Sequence, residues 1–152
     1  MKKYDKLIEK HYNAVAKEYG DSSSSTMLDD KIRSIETESI CSVINKLFLK
    51  KQQASRIADI GCGNGYTLSV LNDFFPENNF LGVEYNQALK NISSKRFKDH
   101  KNITITKGDI RLENYFNDFK PEIVVCQRVI INLLDESDQN RALDNLIQLV
   151  AS

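Results

Sequence analysis

The segment Arg56-Ile-Ala-Asp-Ile-Gly-Cys-Gly-Asn-Gly65 constrains the fold of this chain more than any other. Arg56 to Ile60 is short and apolar and reads as a strand. It runs directly into three alternating glycines, Gly61, Gly63 and Gly65, after which a helical pattern begins. Glycines at such a turn let a ligand approach the backbone at the carboxyl end of the strand, where any Cβ would obstruct it. Amides at the start of the following helix can donate to a polar ligand group. The segment predicts an open α/β sheet whose binding site lies at the strand tips.

The rest of the chain agrees with that reading. Tyr4, Leu7, Ile8, Tyr12, Val15 and Tyr19 form one stripe on a helix ending at Gly20. The serine-rich stretch Asp21 to Thr26 reads as a loop. A second helix carries Leu28, Ile32, Ile35, Ile40, Val43, Ile44, Leu47 and Phe48 on its apolar face, and Lys50 to Ser55 is a polar connection. After the first strand, Asn64 to Phe75 reads as a helix stopped by Pro76 and carrying Leu68, Leu71, Phe74 and Phe75. Phe80 to Glu84 is a second strand, followed by a helix with Leu89, Ile92 and Phe97. Ile103 to Lys107 is a third strand, and Ile123 to Cys126, after a loop ending at Pro121, a fourth. A last helix from about Glu136 to Val150 turns Leu143, Leu146, Ile147 and Val150 inward. Strands alternating with helices imply βαβ units and a parallel sheet. Right-handed crossovers give it the order 3-2-1-4. The expected fold class is α/β, a Rossmann-like doubly wound parallel sheet with two helices before it. One domain spans 1–152, with a helical cover over 1–50 and a cofactor-binding α/β core over 55–152.

Composition narrows the function classes. The 152 residues hold 21 basic and 21 acidic side chains, so the net charge is zero and gives no electrostatic case for nucleic acid or an anionic membrane. No run approaches the roughly 18 apolar residues of a membrane span, and the charged start MKKYDKLIEKHYN argues against a signal peptide. Cys41, Cys62 and Cys126 are odd in number and widely spaced, which predicts reduced thiols in a cytoplasm. With only His11 and His100 to join them, no metal site is expected.

Glycine spacing separates the candidate ligands. A dinucleotide fingerprint, G-x-G-x-x-G, has a third glycine for close helix–strand packing, and here that position holds the bulky Tyr66. Asp59 adds a carboxylate beside the turn, which suits an ammonium group and would repel a pyrophosphate. On these residues the sequence resembles the class I S-adenosylmethionine-dependent methyltransferases, whose first motif looks like Asp59-x-Gly61-x-Gly63-x-Gly65. The resemblance implies that this turn, with Cys62 and Asn64, holds the methionine part of S-adenosyl-L-methionine.

Three further segments carry the likeness. Glu84, with Tyr85 after it, stands at the tip of the second strand, where an acid can accept from both ribose hydroxyls; nicotinamide enzymes also place an acid there. Gly108-Asp109-Ile110 comes after the third strand, and the family uses such an Asp for the adenine amino group, with the apolar residue beside the ring. Cys126-Gln-Arg-Val-Ile-Ile-Asn-Leu-Leu134 comes after the fourth, where Gln127 and Arg128 reach the methionine end or, for Arg128, a surface salt bridge. This stretch is similar to the Glu-Arg-Val-x-Ile-Asn-Leu of a bacterial subgroup, with Gln127 in place of Glu. The same subgroup has a leading helix and loop like His11-Tyr-x-x-x-Ala16-x-x-Tyr19 and Ser24-Ser-Thr-Met-x-Asp29. By that likeness Tyr19, Thr26 and Arg33 lie near the cofactor's carboxylate.

The resemblance implies a cytoplasmic enzyme that methylates a small molecule, a sugar or another metabolite of a bacterial biosynthetic pathway. No general base is identifiable; His11 reads as packed or solvated. Enzymes of this class normally continue into a glycine-containing turn and three more strands, which are absent here. The expectation is therefore either a piece of a longer fold or a fourth-strand edge covered by a partner in a homodimer. The competing readings are a NAD(P)- or flavin-dependent oxidoreductase, opposed by Tyr66 and Asp59, and a non-catalytic S-adenosylmethionine-binding subunit.

Overall fold

β1 (Arg56–Ile60) is buried along all but its first residue, as a strand must be when it has neighbours on both sides and helices on both faces. The computed structural model describes residues 2–25, 29–48, 55–112 and 119–151. In it β1 pairs in parallel with β2 (Asn79–Glu84) on one side and β4 (Ile123–Val125) on the other. β3 (Ile103–Lys107) lies beyond β2, so the sheet has the predicted order β3-β2-β1-β4. The register sets Asp59 beside Gly82 and Val125, and Glu84 beside Lys107. The strands therefore end level, and the turns that leave them gather on one rim of the sheet.

Among the described residues five α-helices accompany the sheet: α1 (Lys3–Tyr19), α2 (Asp30–Phe48), α3 (Tyr66–Phe74), α4 (Gln87–Arg96) and α5 (Glu136–Ala151). Period-2 alternation sorts the strand side chains onto two faces. Ile57, Phe80, Ile103 and Val125 pack with Cys41 and Ile44 of α2 and Leu68 and Leu71 of α3. Ala58, Ile60, Leu81 and Val83 pack on the other face with Ala142 and Leu149 of α5. Gly82 lies where β2 passes closest to its neighbours: a Cβ there would come within 2.6 Å of Ile105 and 2.7 Å of Leu68.

Local chemistry sets the element ends. Asn86 caps α4, its side chain accepting the Leu89 N–H at 3.0 Å. Gly65, at φ +83°, holds the glycine turn open to Tyr66, so α3 begins two residues later than the pattern predicts. The fourth strand ends at Val125, one residue short of the expected Cys126.

Three apolar stripes are corrected by the structure. In α1, Leu7 is 63% exposed, while Tyr4, Ile8 and Tyr12 turn toward the strand tips. In α2 the buried positions are Arg33, Thr37, Cys41 and Ile44, and Ile32, Ile35, Val43 and Leu47 are exposed; Leu28 lies outside the described residues. In α5 the inward face is Ala142, Leu146 and Leu149, so Leu143, Ile147 and Val150 point outward. Phe74 of α3 is likewise exposed. In α2 and α5 the side chains that fit against the sheet are not the largest apolar ones on the helix.

Candidate functional site

A cavity opens at the rim where the strand ends converge, roofed by Tyr4, Asp5, Ile8 and Tyr12 of α1. Its floor is the glycine turn. Gly61 has φ +77°, and a Cβ on it would overlap the Val129 side chain. The turn is anchored to β2, because the Gly61 and Cys62 N–H groups both donate to the Val83 carbonyl, at 2.7 and 3.1 Å.

Asp59 faces this cavity from β1 and is 2% exposed. Its Oδ2 is buried with no hydrogen-bond partner among the described residues. Burial, and then the nearby Glu84 charge, push its pKa up to about 7; Arg33 works in the opposite direction. A buried acid with an unsatisfied oxygen suits a ligand that brings a cation or a donor. Arg33 enters from α2, its guanidinium 4.4 Å from the centre of the Tyr66 ring, and burial lowers its pKa. This stacking explains why a charged residue takes an inward position on α2.

Glu84 is 7% exposed at the tip of β2. Its Oε2 accepts the Gly63 N–H at 2.8 Å and its Oε1 the Asn86 N–H at 2.6 Å. Burial raises its pKa and these amide donors pull it back. Tyr85 comes next in the cavity wall. At the end of β3, Gly108, Asp109 and Ile110 complete that wall. The Asp109 carboxylate is held by Arg111, whose Nη2 donates to Oδ2 at 2.6 Å and Nε to Oδ1 at 2.9 Å.

After β4 the chain closes the remaining side. Gln127 donates to Glu36 at 2.6 Å, and Arg128 pairs with the same carboxylate at 2.7 Å. The Arg128 guanidinium holds Glu36 below the usual carboxylate range. Arg128 has φ +60°, a left-handed conformation uncommon for a side-chain-bearing residue. Asn132 donates to the Tyr12 hydroxyl at 2.9 Å and to the Arg128 carbonyl at 2.8 Å, tying this loop to α1.

Of the residues read from the sequence, the cavity brings together Arg33, Asp59, Gly61, Cys62, Gly63, Glu84, Tyr85, Gly108, Asp109, Ile110, Gln127 and Arg128. Three others do not line it. Asn64 is fully buried and works as a strut, its Nδ2 donating to the Gly20 and Ser22 carbonyls at 3.2 and 2.8 Å. Arg96 braces the same place, donating to the Asn64 carbonyl at 3.0 Å and to that of Asp21. Gly65 packs under α4, where a Cβ would meet Phe97 at 2.5 Å and Ser93 Oγ at 2.8 Å. Tyr19 ends α1, half-buried and away from the cavity. Thr26 lies outside the described residues. His11 is exposed, its ring edge-on to Tyr12.

Sequence reasoning missed the roof residues and Arg111. The 4-8-12 spacing of Tyr4, Ile8 and Tyr12 was visible as a helix stripe but reads as core. Nothing local marks Arg111 beyond its place one residue after the Gly-Asp-Ile turn.

Among the described residues no group of three or more His, Cys, Asp or Glu is placed to hold a metal ion, and no helix is long and apolar enough to cross a membrane. The three cysteines are free, and burial raises the pKa of each.

Residues 57–152 match a protein family described as a methyltransferase domain. An uncharacterized protein of Methanocaldococcus jannaschii is 28% identical over 109 residues, which cover 67% of this chain and 28% of that protein. The magnesium protoporphyrin IX methyltransferase of Synechocystis PCC 6803, solved with S-adenosylmethionine bound, has a TM-score of 0.71 at 16% identity, covering 98% of this chain and 73% of that one. An amino pentose methyltransferase from Micromonospora echinaspora has a TM-score of 0.59 at 20% identity, covering 76% of this chain and 45% of that one. At such identities the two structures show a shared fold. The chain spans less than a third of the curated relative and less than half of the amino pentose enzyme.

Proposed function

The chain belongs to the methyltransferase-domain family, and on that premise we propose that its cavity binds S-adenosyl-L-methionine and serves methyl transfer to a small-molecule acceptor. The observation that carries this reading is the convergence of Asp59, Glu84 and Asp109, from the ends of three strands, on one cavity. The residues fit the group. The orphaned Asp59 oxygen and Arg33 suit an ammonium and a carboxylate. The bare Gly61 lets Val129 pack against the turn, which brings the loop after β4 up to the cavity floor. Glu84, already oriented by two backbone amides, has lone pairs left for a ribose diol. Asp109 and Ile110 form the adenine end, and Gln127 and Arg128 close the methionine end.

When bound, the cofactor supplies a methyl group already activated by its sulfonium. What remains for the protein is alignment of acceptor and methyl in a site that excludes water. The α1 roof and the loop after β4 provide that enclosure. The N-terminal cover over 1–50 and the core over 55–152 thus act as one domain.

The acceptor we propose is a metabolite, with a sugar as the favoured class. The amino pentose enzyme shares the fold, and the zero net charge offers nothing to attract a nucleic acid. A cytoplasmic place in a bacterial biosynthetic pathway is consistent with three free cysteines. We further propose a homodimer through β4, which lies at one edge of the sheet. Val124, Cys126, Leu146, Ile147 and Val150 make an apolar surface beside that edge.

Isothermal calorimetry with S-adenosylhomocysteine and with NAD tests the reading. Binding of the former and none of the latter is expected. Binding of NAD alone would establish an oxidoreductase. Cofactor binding without transfer to any acceptor by the full-length protein would mark a non-catalytic subunit.

A further inference from the structure

Little apolar surface holds α1 in place over the cavity. Among its described side chains only Asp5 and Ala16 are buried. Polar contacts dock the helix instead, and one guanidinium is their centre. Arg111 donates Nη1 to Asp5 of α1 at 2.8 Å and to Asp138 of α5 at 3.2 Å, and grips Asp109 with Nη2 and Nε. The Asp138 carboxylate also takes the Tyr4 hydroxyl and lies 2.9 Å from the Lys2 ammonium. Asp5 spends its other oxygen on the Lys2 N–H at 2.8 Å.

We propose that Arg111 is a positioning residue that couples occupancy of the adenine end of the cavity to closure of α1 over it. This rests on the reading of the cavity as the cofactor site. The physical basis is the planar guanidinium, whose five donors keep fixed relative directions. The donors that hold Asp109 and the one that holds Asp5 cannot be reoriented independently. A ligand group that fixes the Asp109 carboxylate therefore fixes the plane that receives α1. Conversely, lifting α1 takes Asp5 and Tyr4 from Nη1 and leaves the guanidinium held by Asp109 and Asp138 alone, free to turn with the Asp109 carboxylate it carries. Breaking one arm of a buried charge cluster leaves the remaining charges uncompensated, so the latch opens as a unit. The three acids outnumber the guanidinium, and Lys2 adds the second cation, which explains why the very start of α1 belongs to the device. Arg111 also lies 5.8 Å from the centre of the Tyr85 ring, within the cavity wall. Since Tyr4, Asp5, Ile8 and Tyr12 of α1 line the cavity, the latch that holds this helix down slows release of a ligand beneath it.

Asp138 separates this role from direct ligand contact, because it touches the latch and does not line the cavity. The experiment measures S-adenosylhomocysteine release by stopped flow and amide hydrogen exchange of the full chain, in the parent, Arg111→Gln and Asp138→Asn. In both variants release is expected to be about tenfold faster and the α1 amides to exchange faster, while β1 and β2 amides keep their protection. Release at the parent rate from Asp138→Asn overturns the coupling, whether or not Arg111→Gln folds. Faster α1 exchange without faster release also overturns it. A parent that binds no S-adenosylhomocysteine overturns the cofactor reading and this inference together, whereas tight parental binding with unchanged variants overturns this inference alone.

Discussion

The carboxylate of Glu84 accepts the backbone N–H of Gly63 at 2.8 Å, so the acid at the tip of β2 and the glycine turn after β1 form one unit. Glu84→Ala should therefore do two things. It should abolish measurable S-adenosylhomocysteine binding by calorimetry, and it should lower unfolding stability by about 1–3 kcal/mol, because buried amides lose their acceptor. Glu84→Gln keeps one acceptor where two N–H groups meet and should fall between. Parental affinity in Glu84→Ala would move the ribose elsewhere.

The glycines of the chain should not tolerate replacement equally. Gly20 has φ +53° with open space around it, whereas Gly65 has φ +83° and its Cβ would collide with Phe97 and Ser93. Gly20→Ala should cost about 1–3 kcal/mol in a urea titration, the strain of an alanine at φ +53° and ψ −121°. Gly65→Ala should cost more, since overpacking of about 1–3 kcal/mol adds to the strain of a left-handed alanine. Equal losses would contradict the close packing of the turn on α4.

Asp59 predicts a pH dependence whose sign can be worked out. An unfolded aspartate titrates near about 3.9, and the folded one is pushed up to about 7. Between these values the folded state binds more protons than the unfolded state. Its contribution to stability is fully present below about pH 4 and is lost as pH rises through about 7. The stability of Asp59→Asn relative to the parent should accordingly grow by a few kcal/mol from pH 4 to pH 8 in denaturant titrations. A constant difference would show that Asp59 is not the titrating group. An ammonium-bearing ligand should also drive the proton off Asp59, so at pH 6 the binding heat of S-adenosylhomocysteine should vary with the ionisation heat of the buffer.

Ile147 is 68% exposed on the outer face of α5, beside Val124 and Cys126. Ile147→Glu places a charge in that apolar surface, and sedimentation should show it shifting the chain toward monomer with cofactor binding intact. Identical monomeric sedimentation of parent and variant at all concentrations would remove the β4-edge dimer.

The order of the sheet was legible because a βαβ chain has few right-handed ways to lay four parallel strands, and the glycine turn marked which strand stands at the switch point. The strand-tip residues were legible for the same reason: Asp59 precedes the glycine turn by two residues, Glu84 ends the apolar run of β2, and Asp109 follows β3 in a Gly-Asp turn. The helix faces were harder. In α5 the larger residues Leu143, Ile147 and Val150 outcompete Ala142 in any periodicity count, yet it is Ala142 that lets the helix come close to the sheet. In α2 two polar residues take inward positions: Arg33 lines the cavity and stacks on Tyr66, and the buried Thr37 satisfies its hydroxyl on the Arg33 carbonyl at 2.8 Å. The Arg111 hub could not have been read at all. Its partners Asp5 and Asp138 lie 106 and 27 residues away, and no local pattern connects them.

Asn64 and Arg96 grip the loop after α1 only by the carbonyl oxygens of Gly20, Asp21 and Ser22, groups that every amino acid carries. This join recognises the path of the main chain and is blind to its side chains. The exposed side chain of Asp21 is thus free to drift over generations, while the asparagine inside the glycine turn is not, since a shorter, longer or charged replacement would let go of a segment more than forty residues upstream.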